Sequence, residues 1–155
     1  MKKWLYLLTV IILATLQLTW PGFLTFFNAR PDLLLIFVVS IVLYSDFKAA
    51  LALSILCGLL KDVFLPMAFG TNTILFSIWC YLIFRLSRQL STESGFLRLA
   101  LVLVVAFLNN IISGLQSVYS GSIPVGIFFG SLIISTVYTV ALSPLVFKLT
   151  KKIAE

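Results

Sequence analysis

Uncharged apolar runs such as "LYLLTVIILATLQL" and "LLLIFVVSIVLY" fill most of this chain and leave it few folds to choose from. A helix needs about 20 apolar residues to cross the roughly 30 Å hydrocarbon core of a bilayer. Barrel strands would instead alternate apolar and polar residues over about 10 positions, and these runs do not alternate. Apolar residues make up 61% of the 155 positions and charged residues 10%, with mean hydropathy +1.16. A soluble domain is nearer half apolar and a quarter charged. The expectation is an all-α integral membrane protein, one polytopic domain over residues 1–155.

Six spans are predicted, at about 4–20, 33–45, 47–65, 71–86, 96–119 and 125–149. Pro21-Gly22 ends the first and Pro66 the third. The polar link "RLSRQLSTESGFLR" separates four front segments from two back ones, and "SGSIPVG" marks the last turn. Lys2 and Lys3 ahead of the first run resemble the start of a secretory signal. No A-x-A-like cleavage site follows, so a retained first helix is expected. The second segment gives only about 20 Å of helix. Segments two and three are therefore either two spans or a re-entrant hairpin, and both return the chain to the same side.

Charge placement predicts orientation. With a cytoplasmic N-terminus and six passes, only Arg30 and Lys61 of the 11 lysines and arginines fall outside, each within two residues of Asp32 or Asp62. That is a positive-inside bias, so both termini are expected in the cytoplasm of a bacterial inner membrane. The net charge of +6 is accounted for by this placement and does not call for nucleic acid. Cys57 and Cys80 fall in apolar segments and are read as small buried hydrophobes. With no histidine and no Cys-x-x-Cys, neither a metal nor another cofactor is expected.

The pair Lys61-Asp62 interrupts a helix-forming run. A helix starting at Phe47 has risen about 21–23 Å by Asp62, into the outer third of the membrane. Lys61 is expected to snorkel outward along its stem, whereas Asp62 has a shorter stem and needs a partner. Ala50, Ser54, Gly58 and Asp62 recur every fourth residue, so the acid shares a face with small residues that admit a neighbouring helix. Two readings stay open: a bond to a neighbouring backbone, to Lys61 or to Arg30; or a ligand, proton or partner site, the default for an intramembrane acid.

Asp32, after Pro31, is placed to cap the second helix, and Asn72, after Gly70, to cap the fourth. Segment five carries Asn109, Asn110, Ser113, Gly114, Gln116 and Ser117 at spacings of three and four. That side must face the bundle, through interhelical hydrogen bonds or around a polar cavity open to the outer surface. Gly126 and Gly130 form a GxxxG pair, which speaks for close packing and no more. There is no Ser-His-Asp or Cys-His set, and Asp32 and Asp62 sit in no catalytic signature. No enzyme activity is expected.

"RPDLLLIFVV", "GLLKDVF" and "GTN" in this order resemble the rod shape-determining MreD family. Pro31 and Asp32 fill its Pro-Asp before the second helix, Gly58, Leu59 and Asp62 its Gly-Leu-x-x-Asp ending the third, and Gly70 and Asn72 its Gly-x-Asn. Ser54 stands where many members have glycine, and the back half carries no matching motif. The resemblance implies a non-enzymatic inner-membrane subunit of the cell-elongation machinery. It would bind an MreC-like single-span protein and sit with the peptidoglycan glycosyltransferase and transpeptidase. The family's fold is in turn similar to the substrate-binding component of energy-coupling-factor vitamin transporters. That leaves a second reading, a small-molecule capture protein with an outward pocket drawing on Asn109, Asn110, Gln116, Trp20 and Asn72.

Overall fold

The computed structural model describes residues 3–25, 29–64, 70–90 and 93–155. These form six α-helices and no β-strand: α1 (Lys3–Leu18), α2 (Leu33–Tyr44), α3 (Phe47–Phe64), α4 (Thr71–Gln89), α5 (Gly95–Tyr119) and α6 (Val125–Ala154). A single 3₁₀ turn, Gly22–Leu24, follows α1. All six predicted segments are present, with shifted ends. α4 and α6 run past residues 86 and 149 because backbone hydrogen bonding continues through Arg88, Lys151 and Lys152 after the apolar run has ended. α1 stops at Leu18, short of Trp20. Leu65 and Pro66, the expected end of segment three, lie outside the described residues.

α5 and α6 are each long and apolar enough to cross a membrane; α1 and α2 are apolar but shorter. The brevity of α2 follows from its position. Every residue from Leu33 to Val42 is buried, and α2 touches all five other helices. A helix apolar on all sides belongs in the interior. Enclosed by its neighbours, a helix of about 18 Å does not have to match the thickness of anything outside the protein.

Close approaches occur where glycine leaves room. A Cβ on Gly58 would lie 2.4 Å from the Cα of Thr73, so the backbones of α3 and α4 touch there. On Gly114 it would lie 2.1 Å from the Phe128 ring of α6. The GxxxG expectation is corrected at Gly126, which is exposed and has nothing within 4 Å of its would-be Cβ. The close contact between α5 and α6 forms at Gly114 instead.

Polar atoms inside the helices are mostly satisfied locally. Thr9, Ser54, Thr136 and Thr150 each donate to the carbonyl four residues back, which keeps a hydroxyl bonded in apolar surroundings. Ser40 and Thr150 also meet at 2.9 Å, tying α2 to α6. Pro144 sits inside α6 and has no N–H for the carbonyl of Val140. The hydroxyl of Ser143 donates to that carbonyl at 2.7 Å, and the helix continues.

Candidate functional site

Adjacent residues on a helix point about 100° apart, and Lys61 and Asp62 use that angle to serve two different neighbours. Asp62 turns to the start of α4. Its Oδ1 accepts from the backbone N–H of Asn72 at 3.0 Å and from Asn72 Nδ2 at 2.9 Å. Its Oδ2 accepts from the backbone N–H of Thr73 at 3.0 Å and from the Thr73 hydroxyl at 2.6 Å. Two otherwise orphan helix N–H groups are thereby capped by an acid from another helix, where the positive end of the helix dipole favours it.

The expected cap at Asn72 is corrected accordingly. Gly70 occupies the N-cap position with φ 93° and offers no side chain. Asn72 lies inside the helix as a donor to Asp62. The stripe of Ala50, Ser54, Gly58 and Asp62 is buried throughout, and Gly58 is what lets the carboxylate come this close to α4.

Lys61 does not snorkel. It is buried and its ammonium pairs with Asp32 Oδ2, a correction with a plain cause. Asp32 is far away in sequence but close in space, so a fixed partner is nearer than water. The ammonium also lies 5.2 Å from the centroid of the Phe76 ring, a cation–π contact.

Asp32 is the centre of the bundle. As expected it caps α2, its Oδ1 accepting from the backbone N–H of Leu35 at 3.2 Å. Oδ1 also accepts from Gln17 Nε2 at 3.4 Å, while Gln17 Oε1 accepts from the backbone N–H of Leu34 at 3.2 Å. Oδ2 accepts from Lys61 and from Asn109 Nδ2 at 3.5 Å, and Asn109 Oδ1 accepts from Trp79 Nε1 at 3.4 Å. The backbone N–H of Asp32 donates to the Thr139 hydroxyl at 3.3 Å. Side chains from α1, α3, α4, α5 and α6 thus converge on the N-terminus of α2.

A buried ion pair is tolerated only when its remaining hydrogen-bonding capacity is met. Four donors on one carboxylate meet it here. Gln17, Trp79 and Thr139 were not singled out in the sequence. Gln17 had a usable signal, being the one amide in an otherwise apolar first segment; Trp79 and Thr139 had none.

Beside the hub opens a cavity of about 290 Å³. Its walls include Gln17, Arg30, Asp32, Lys61, Asn110 and Gln116, with Ala14, Leu34 and Phe64 among the apolar parts. Asn110 and Gln116 therefore line a cavity, whereas Asn109 is fully buried behind it at the hub. Asn110 also donates to the Thr136 hydroxyl at 3.2 Å. Trp20 is not in the wall. Both cysteines are free and buried. Among the described residues no three His, Cys, Asp or Glu side chains gather into a group that would hold a metal.

An all-helical bundle with two helices long and apolar enough to cross a bilayer, and large apolar side chains exposed on its outer faces, has the build of a membrane protein. The family model of the rod shape-determining protein MreD matches residues 1–153, and the chain belongs to that family. No curated protein and no solved structure matches it. Membership gives the chain a role in rod shape determination.

Proposed function

We propose that the chain is a non-enzymatic subunit of the cell-elongation machinery in the bacterial inner membrane. It crosses six times as a single domain with both ends cytoplasmic and docks an MreC-like single-span protein beside the wall-building glycosyltransferase and transpeptidase. Family membership carries this reading. The build of the bundle supports it. Fourteen residues separate α1 from α2 and only two to six each later pair of helices, so most of what the protein offers others is helix face. Large apolar side chains such as Ile11, Leu16, Ile133 and Val137 cover those faces. A protein of this shape acts on a neighbour by lying alongside it in the bilayer.

The orientation is supported by exposed Lys48, Arg85, Arg88, Lys148, Lys151 and Lys152 near the helix ends that the positive-inside rule assigns to the cytoplasm. Arg88 lies 4.7 Å over Phe84 and Arg85 lies 5.9 Å over Tyr81, cation–aromatic pairs of the kind that suit a membrane boundary.

Purification of the tagged protein from native membranes is expected to bring down the single-span partner, and loss of the protein to turn elongated cells round. Recovery of transporter ATPases and a bound vitamin, with no elongation proteins, would reject the docking role in favour of small-molecule capture. Topology has its own check. In a background with Cys57 and Cys80 replaced by alanine, Ser122→Cys should react with a membrane-impermeant thiol reagent once the outer envelope is permeabilised. Glu93→Cys should stay protected. Reaction at position 93 in sealed cells would sink the ends-inside, six-pass arrangement.

A further inference from the structure

The cavity beside the hub has room for about ten water-sized groups, and its chemistry selects by charge. Among the described residues Asp32 is the one carboxylate in its wall, and both oxygens already hold two donors each. It has no lone pair left for a cation. The opposite charge is in surplus. Lys61 donates one N–H to Asp32 and, as an ammonium, carries two more. The guanidinium of Arg30 is exposed at the wall and makes no ion pair or side-chain hydrogen bond among the described residues.

The backbone that carries Arg30 is held in place. Its carbonyl accepts from the Ser135 hydroxyl at 3.2 Å, and the backbone N–H of Asp32 is bound to Thr139. Across the cavity, the Ser113 hydroxyl and the Gln116 amide line the wall from one side of α5. Neither side chain has a partner among the described residues. The wall thus carries one uncompensated positive charge, free hydroxyl and amide donors, and apolar surface at Leu18 and Phe64.

We propose that this cavity binds a singly charged oxyanion, a phosphate or a carboxylate, on Arg30, with Ser113 and Gln116 completing its hydrogen bonds and a short apolar body resting on Leu18 and Phe64. Charge-assisted bonds from a guanidinium are the strongest single contribution such a wall can make. The site does not depend on the docking role, and its test does not involve the partner.

The source of the oxyanion is either a lipid headgroup or a free small anion, and titration calorimetry on the full chain in a neutral detergent separates them. The probes are dihexanoyl phosphatidylglycerol below its micellar concentration, dihexanoyl phosphatidylcholine, inorganic phosphate and hexanoate. Saturable binding of phosphatidylglycerol, with none of phosphatidylcholine or the two small anions, identifies a lipid headgroup. Binding of phosphate or hexanoate identifies a free anion.

In either case Arg30→Gln should weaken binding about tenfold or more and Gln116→Leu by a smaller factor. Lys48→Gln, at the other end of α3, should leave it unchanged. The Arg30 side chain has no partner to lose, so its variant should melt with the wild type. The proposal is overturned if no anionic probe binds, if Arg30→Gln binds as tightly as wild type, or if Lys48→Gln weakens binding as much as Arg30→Gln.

Discussion

Lys61→Met should be the most damaging single change in this protein, costing about 3–5 kcal/mol of stability because it leaves Asp32 charged, buried and short of a donor. In a domain of this size that corresponds to a melting temperature lower by roughly 10 °C, read by thermal unfolding of the purified protein in one detergent. Asp32→Asn in the same background should restore most of the loss. An asparagine still accepts from Leu35 N–H as an N-cap, and it removes the stranded charge. The double variant is the informative one. If it melts no higher than Lys61→Met alone, the ion pair is not what holds α3 to α2.

Asp62 is expected to show a graded response. Asp62→Leu removes the acceptor of four hydrogen bonds and uncaps two backbone N–H groups of α4, a loss of about 3–4 kcal/mol. Asp62→Asn keeps one oxygen for Asn72 but turns an amide N–H₂ toward Thr73. The threonine hydroxyl can rotate to accept from it. The backbone N–H of Thr73 cannot, and one buried donor left unmet costs about 1–3 kcal/mol. Melting and accumulation in membranes should therefore fall in the order wild type, Asn, Leu. If both variants behave as wild type, the acid has no structural work at this position.

What could be read from the sequence divides along a physical line. The number of helices and the stripe of Ala50, Ser54, Gly58 and Asp62 follow from hydropathy and a four-residue period, which are local properties. Asp32 as a cap was legible because Pro-Asp before an apolar run is a local signal too. At two of the misread positions, Asn72 and Lys61, a distant group won. Asn72 has the local signature of a cap within its own helix, whereas the true cap, Asp62, arrives on α3. Lys61 was assigned to water because the helix-only view shows how far the surface is. It does not show that a carboxylate 29 residues earlier in the chain lies within reach. Asn109, Asn110 and Gln116 were grouped by spacing, yet only packing decides that Asn109 is sealed into the hub while the other two face open space.

The convergence of five helices on Asp32 also sets an order in time. A ribosome releases Gln17 first, then α2, Lys61, Trp79 and Asn109, and Thr139 last of all. Until that last helix emerges, the backbone N–H of Asp32, at the cap of the innermost helix, is without its acceptor. The protein therefore cannot mature half by half from its front end. Its interior closes only when the final segment is in place, and a chain ending before residue 139 leaves the backbone N–H of Asp32 without that acceptor.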